Sequence, residues 1–309
     1  MEPDHASGIS AFAARYPGAT IVSGAKSFAM MRQFFGEEFA DRRITVGTGD
    51  VLDLGGDALT FLAAPMVHWP EVVMSHLGNA GILFSADAFG KFGVPEARED
   101  WDDEARRYYF GIVGKYGVQV QNVLKNLPSG IRAICPLHGP ALEGDLSHYL
   151  DLYRTWSSYA PEAAGVTVCY TSVYGHTREA AEKLADALRR AGETVAVYDL
   201  TRDDASAALA DAFRYDRLVL ATTTYNMELF PPMRTFLGTL AEHGYRGRTV
   251  GLIENGTWAP AAAKKMEETL SQLKDIRILE PVVTIRSALS EESNTRLEAL
   301  CGALLAGNE

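Results

Sequence analysis

Six side chains able to hold a metal ion stand beside the ends of short β-like runs. Glu2, Asp4 and His5 crowd the opening MEPDHASG, His68 lies in APMVHWPE, Asp87 in LFSADAFG and His138 in ICPLHGP. A lone His or Asp beside a turn is ordinarily a satisfied polar residue, but an E-x-D-H cluster has few structural reasons to exist. Two carboxylates and an imidazole so close suggest metal ligands. Together the six make three His and three acidic residues. Oxygen and imidazole donors without thiolates suit iron or manganese, with zinc also open. A carboxylate placed between two cations can bridge them, which makes a binuclear site a natural reading.

A second set of residues points to a phosphate and an aromatic ring. Thr171, Ser172, Val173, Tyr174, Gly175, His176 and Thr177 form a small, hydroxyl-rich stretch that opens directly into a helical pattern. Such a turn offers backbone N–H groups, hydroxyls and the positive end of a helix to a phosphate without needing lysine. Hydroxyl-rich turns also serve merely as N-caps, so this loop alone decides little. Two further stretches, Thr222, Thr223, Thr224, Tyr225, Asn226 and Glu254, Asn255, Gly256, Thr257, Trp258, each pair small polar residues with one aromatic. An isoalloxazine ring needs apolar faces to stack on and amide groups for its polar edge, and Tyr225 and Trp258 can supply those faces. Neither G-x-x-x-x-G-K-[ST] nor G-x-G-x-x-G occurs here, which counts against a nucleoside triphosphate or a dinucleotide. FMN is the expected ligand.

These loops need a scaffold, and the rhythm of apolar runs supplies two. Before residue 160, runs such as ATIVSG, RRITVG, LTFLAAP, GILFSAD and IRAICPLHG are separated by irregular stretches rich in Gly, Pro and charge. A helical segment from Asp145 to Tyr159 then leads into residues 161–165, a breaker-rich stretch expected to be the linker between a first domain, 1–160, and a second, 166–309. From Val166 the strands VTVCYTS, TVAVYDL, YDRLVLATTT, RTVGLIEN and ILEPVVTIR alternate with five helical stretches. Five strands alternating with five helices imply an α/β domain with a doubly wound, flavodoxin-like parallel sheet. In such sheets ligands lie beyond the carboxyl ends of the strands where strand order reverses, which is where the three polar loops fall.

At 309 residues the chain is long enough for about two domains. Against 29 Lys and Arg stand 40 Asp and Glu, and the resulting charge of −11 would repel nucleic acid and anionic membranes at long range. No basic leader precedes an apolar run and no eighteen apolar residues occur together, so a cytoplasmic location is expected. Cys135, Cys169 and Cys301 are far apart and outside any CxxC spacing, and read as buried small hydrophobes. His76, His148 and His243 are expected in surface or capping roles, the run Glu96 to Glu104 as a solvated stretch, and Tyr108, Tyr109 and Phe110 as core or dimer contacts.

At TSVYGHT, TTTYNMELFPPM and ENGTWAP the second domain resembles flavodoxins, most closely those fused to the flavodiiron proteins, or A-type flavoproteins. The first domain resembles the metallo-β-lactamase-like part of the same family, whose ligand pattern is H-x-E-x-D-H, then H, D and H; Glu2, Asp4, His5, His68, Asp87 and His138 match it in order. The resemblance implies two non-haem iron ions, one held by Glu2 and His68, the other by Asp4, His5 and His138, with Asp87 between them and no catalytic side chain beyond the ligands. Related hydrolases usually have His where Glu2 stands and bind zinc, so the Glu favours iron and redox chemistry. The first His of the pattern would fall immediately before Met1, and the family's preceding strands are missing. The expected cause is a start assigned at an internal methionine of a longer gene, a shortened descendant being the alternative. A partial αββα sandwich of this kind would expose apolar surface.

The activity implied is that of an FMN-dependent oxidoreductase reducing dioxygen to water or nitric oxide to nitrous oxide. The resemblance also implies a head-to-tail homodimer fed by rubredoxin or a related electron donor. The alternatives are a flavodoxin-like electron carrier with a non-functional first domain, and a zinc hydrolase.

Overall fold

The computed structural model describes residues 1–94 and 101–307, which fall into two compact units, Met1–Ser158 and Tyr159–Glu309. Most of the run Glu96 to Glu104 lies outside the described residues; Asp102, Asp103 and Glu104 form the first turn of a helix.

The first unit opens with two short helices, α1 (Pro3–Ala6) and α2 (Ile9–Arg15). Strand β1 (Ile21–Ser23) passes through α3 (Ala25–Phe35) to β2 (Arg43–Thr45), which pairs with it in parallel. A six-stranded sheet follows: β3 (Val51–Asp53), β4 (Ala58–Ala63), β5 (Val73–Leu77) and β6 (Ile82–Phe84) meander antiparallel. The chain then crosses through α4 (Trp101–Tyr108) and α5 (Gly117–Lys125) to β7 (Ala133–Cys135), parallel to β6, and turns back as β8 (Leu142–Glu143). Three strands here, β3, β5 and β8, lie outside the runs singled out in the sequence. Helix α6 (Ser147–Ser158) closes the unit, burying Tyr153 and Trp156 against Phe89, Tyr109, Phe110 and Trp101. Tyr108, Tyr109 and Phe110 are fully buried, as the sequence suggests for core residues. His76, expected in a surface or capping role, is buried on β5 opposite Thr60, because strand alternation turns it inward. Phe12, Tyr16, Phe34 and Ile44, on α2, α3 and β2, are exposed.

Register explains how this sheet gathers the candidate ligands. Ala63 pairs with Val73, Ser75 with Phe84, and Phe84 with Cys135. The loops carrying His68, Asp87 and His138 therefore leave the sheet at one end.

The second unit alternates strand and helix: β9 (Ala163–Tyr170), α7 (His176–Arg190), β10 (Val195–Asp199), α8 (Ala205–Arg214), β11 (Tyr215–Tyr225), β12 (Glu228–Leu229), α9 (Pro231–Glu242), β13 (Arg248–Asn255), α10 (Ala262–Leu270), β14 (Ile276–Ile278), β15 (Val283–Ile285) and α11 (Glu291–Ala306). The order β10-β9-β11-β13-β14, all parallel, is the doubly wound sheet expected. The fifth strand departs from expectation by breaking into β14 and β15, both paired with β13. Pro281 lies in the break, where it has no N–H for the ladder. Strand β9 also begins inside the segment expected to be a linker: Ala163 pairs with Tyr215 and the Gly165 amide donates to Asp216 Oδ1. Gly165 is no breaker. A Cβ there would sit 2.4 Å from the Tyr215 ring, so glycine is what permits the ring to pack.

Burial follows from side-chain alternation. Val166, Val168 and Tyr170 face a core filled by Ala180, Ala181, Leu184 and Leu188 of α7 and Leu297, Leu300 and Leu304 of α11. The alternate residue Thr167 turns to the other face, where its hydroxyl donates to the Asp211 carbonyl of α8. Asp204 caps α8, and a Ser290–Ser293 capping box starts α11.

One buried guanidinium ties several elements together. Arg248 donates to the carbonyl oxygens of Phe213 (2.5 Å), Tyr215 (2.8 Å), Tyr159 (2.8 Å) and Arg246 (3.1 Å). It thereby satisfies the end of α8, where a cation is favoured. Burial lowers its pKa from the ordinary arginine value, but carbonyl dipoles surround the charge. Arg248→Met removes these four hydrogen bonds, and the second unit should lose on the order of 3 kcal/mol, read as a lower urea midpoint in far-UV circular dichroism.

Candidate functional site

The loops of the first unit converge on one cluster. Glu2, His68 and Asp87 form one trio and Asp4, His5 and His138 another, and within each trio the ligand atoms lie within 4.8 Å of one another. Asp87 faces both: Oδ2 is 3.1 Å from His68 Nε2, while Oδ1 is 3.3 Å from His5 Nε2 and 3.8 Å from His138 Nε2. Nε2 of His5 and Nε2 of His138 stand 2.9 Å apart, and Asp4 Oδ2 lies 3.4 Å from each. All six residues marked in the sequence are thus brought together.

The loop after β6 holds Asp87 by strained backbone. Ala86 and Phe89 have positive φ, 52° and 68°, a conformation non-glycine residues keep only where surroundings impose it. Ser85 Oγ donates to Ala88 O (2.7 Å), Leu137 N donates to Ala86 O (2.8 Å), and Phe89 N donates to Tyr153 Oη (2.5 Å). A Cβ on Gly90 would meet Asp87 O at 3.0 Å and His138 O at 3.2 Å, so the two ligand loops touch across a glycine.

Electrostatics test whether these residues suit metal ions. Asp87 and Glu2 are buried, and their Oδ1 and Oε1 have no hydrogen-bond partner. Burial, with Asp87's charge adding to it, pushes the Glu2 carboxyl up to about 7. Burial acts upward on Asp87 too, but the His68 hydrogen bond and the nearby imidazoles outweigh it and hold this carboxyl below the usual range. The Asp87 hydrogen bond, in turn, raises His68. Orphaned buried carboxylate oxygens beside converging imidazole nitrogens are what cations would satisfy, so the donor set fits oxygen- and nitrogen-bound metal ions.

Tyr108 joins the cluster although its sequence signal is that of a core aromatic. Its ring lies 5.5 Å from that of His138, and its buried hydroxyl has no hydrogen-bond partner. Burial and Asp87's charge raise its pKa far above the ordinary tyrosine value, which keeps the phenol protonated.

In the second unit a cavity of about 680 Å³ opens at the carboxyl ends of the strands. Ser172, Val173, Tyr174, His176, Thr177, Thr223, Thr224, Tyr225, Asn226, Asn255, Gly256, Thr257 and Trp258 line it. Thr171 and Gly175, also expected there, do not. The Thr171 hydroxyl pairs with Thr222 Oγ1 (2.7 Å) in the interior, and Gly175, at φ 96°, forms the turn into α7 and donates to Ser172 Oγ. Met227, Ala259 and Ser287 line the cavity without having been foreseen. Ser287 follows the fifth strand, whereas the sequence argument considered the loops after strands one, three and four.

Among the described residues no Lys or Arg lines this cavity. What it offers an anion is α7, a 15-residue helix whose start carries no side-chain cap. The helices α8 and α11, by contrast, are capped by Asp204 and Ser290. Tyr225, which meets Phe230 in a T-shaped contact, and Trp258 are 47% and 86% exposed at the rim. A phosphate with an aromatic ring attached fits such a site.

Residues 168–299 match the flavodoxin family. Over 249 residues the chain is 30% identical to coenzyme F420H2 oxidase of Methanothermobacter marburgensis, covering 77% of this chain and 61% of that one. It is 27% identical to the anaerobic nitric oxide reductase flavorubredoxin of Aliivibrio salmonicida, covering 87% of this chain and 56% of the relative. A variant of the flavo di-iron protein of Thermotoga maritima superposes with a TM-score of 0.81 at 26% identity, covering 94% of this chain and 74% of that structure. The chain is of flavodiiron type. It pairs a lactamase-like unit with a flavodoxin unit, as the sequence suggests, and spans less than two thirds of the oxidase and the flavorubredoxin. Among the described residues of this flavodiiron-type chain no helix is long and apolar enough to cross a membrane.

The uncapped start of α7 gives a prediction. FMN should bind at least about 100-fold more tightly than riboflavin, since the phosphate adds two or more charge-assisted hydrogen bonds. Flavin fluorescence titration of the apoprotein measures both, and equal affinities would show that α7 holds no phosphate.

Proposed function

We propose that this chain is an FMN-dependent oxidoreductase that reduces dioxygen, nitric oxide or both. The observation carrying this reading is the placement of Asp87, whose two oxygens address two separate ligand trios. Glu2 and His68 would hold one iron and Asp4, His5 and His138 the other, with Asp87 shared. The names of the relatives, an oxidase and a nitric oxide reductase, support the same class of chemistry. When bound, the irons supply a binding place and electrons for a diatomic, and FMN supplies electrons to the irons.

The overall conversions balance as O₂ with four electrons and four protons giving two H₂O, and two NO with two electrons and two protons giving N₂O and H₂O. Protons must therefore reach the cluster. Tyr108 Oη keeps its proton at neutral pH and so can donate a hydrogen bond toward the Asp87 side. No side-chain nucleophile is involved. Rubredoxin or a related small electron carrier would feed the flavin, and a head-to-tail homodimer is the assembly in which this chemistry would run.

Metal and flavin content per chain, measured on anaerobically purified protein, tests the proposal. About two irons with one FMN are expected. Asp87→Ala should lower both iron occupancies, whereas Tyr108→Phe should keep the iron and slow turnover by about 10- to 100-fold, as changes beside metal ligands typically do. FMN without iron would leave the chain a flavodoxin-like electron carrier. Zinc with hydrolysis indifferent to redox state would overturn the oxidoreductase reading.

A further inference from the structure

The cavity walls belong to different strands, and one carboxylate behind them, next to the lining residue Asn255, has no part in the reading above. Glu254 is the last residue but one of β13 and is buried. It sits in register between Thr222 of β11 and Thr284 of β15. Its Oε2 accepts from the Ala263 amide at the start of α10 (2.9 Å), and its Oε1 accepts from the Thr284 hydroxyl (2.9 Å). Both oxygens are therefore engaged, by two different elements.

The same helix end is held from the other side. Thr224 Oγ1, at the end of β11, accepts from the Ala261 amide (2.9 Å) and the Ala262 amide (3.2 Å). Ala261, the residue at the N-cap position of α10, makes no side-chain cap of its own. Three successive amides, 261 to 263, are thus satisfied by side chains from two strands, the work a single N-cap residue does elsewhere. The negative carboxylate also complements the positive helix end.

Between Glu254 and Ala261 runs Asn255–Pro260, which carries the cavity-lining Asn255, Gly256, Thr257, Trp258 and Ala259. Gly256 is pressed against Pro260, where a Cβ would lie 2.7 Å from Pro260 Cα. The loop's first half is anchored too: Asn255 exchanges two hydrogen bonds with Ser287, and Thr257 Oγ1 lies 2.9 Å from Ser287 Oγ.

We propose that Glu254 and Thr224 form a clasp on the start of α10 that sets the Asn255–Pro260 loop in its flavin-receiving conformation, making both positioning residues for the ring. Thr224 also lines the cavity, but its hydroxyl oxygen serves the helix. This inference rests on the FMN reading of the cavity. With the clasp open, the loop samples conformations in which Trp258 and the Gly256 backbone no longer meet the ring, and the affinity for FMN falls by the fraction of time the loop is correctly placed.

The test uses the full chain and two readouts, one of which needs no flavin. Amide hydrogen exchange of the segment 256–263 in the apoprotein should speed up at least tenfold in Glu254→Ala and Thr224→Val, with exchange in β9 and in residues 248–252 of β13 unchanged. It should return to the wild-type rate in Thr224→Ser, which keeps its acceptor, and in Glu254→Gln, whose one amide oxygen can accept from Ala263 N while its NH2 donates to the Thr284 hydroxyl. FMN titration of the same proteins should show affinity reduced about tenfold or more in the first pair and restored in the second, with the visible circular dichroism of bound flavin altered only in the first. Unchanged loop exchange in both disruptive variants, or no rescue by the conservative ones, would overturn the clasp. If wild-type protein binds no FMN while the exchange pattern appears, the clasp stands as a loop-setting device and the flavin reading falls. Should Glu254→Ala fail to fold, the Thr224 pair decides the matter alone.

Discussion

A carboxylate placed where water cannot reach it must be answered by charge or by hydrogen bonds, and Asp87 receives only part of that answer from the protein. His68 serves one oxygen at 3.1 Å, while the other, beside His5 and His138, has no hydrogen bond. Much of the first unit is arranged around this group. The six-stranded sheet sends three loops out at one end, left-handed backbone at Ala86 and Phe89 aims the side chain, and Gly90 lets the loop press against the carbonyl of His138. Aromatic packing of Phe89 on Tyr153, reinforced by the hydrogen bond from its amide, supplies the rigidity that holds such a conformation.

The flavodoxin unit solves a different problem with different chemistry. An FMN phosphate would have to be received on a chain of net negative charge, and among the described residues no lysine or arginine lines the cavity. Dipoles and hydroxyls take their place. Thr171 with Thr222, Thr177 with Thr223, Thr224 with α10 and Thr257 with Ser287 stitch the successive loops to one another. Each hydroxyl that cross-links two loops is one less degree of freedom to be lost when a ligand arrives, which is how a neutral site can bind without strong Coulombic attraction.

What the sequence disclosed and what it hid follow from the range of the interactions concerned. The six clustered residues of the first unit and the alternation of the second were legible because chemistry-bearing residue types stand beside turns, and because β and α periodicities are local. Gly165 looked like a breaker since only the remote Tyr215 ring shows why a glycine is needed there. The division of ILEPVVTIR is signalled by Pro281 itself, although the run's apolar character reads as one continuous strand. Tyr108 could not be told from its core neighbours Tyr109 and Phe110, because what distinguishes it is a contact with His138 and Asp87 made through folding. Thr224 and Glu254 carried the opposite ambiguity: residues of a binding loop whose polar atoms turn out to serve a helix start.

The two kinds of site differ in how they relate to folding. The cavity of the second unit is built from loops already bonded to one another, so its shape does not wait for a ligand. Helix α1 is different, being four residues long with no buried side chain of its own. Its Asp4 and His5, with Glu2 just before it, meet the sheet's loops chiefly through the ligand cluster. A cation shared among these groups would join the start of the chain to the ends of β4, β6 and β7 and relieve the buried charge of Asp87. Were a cation bound there, its coordination energy would add directly to the hold on α1 and so to the stability of this unit.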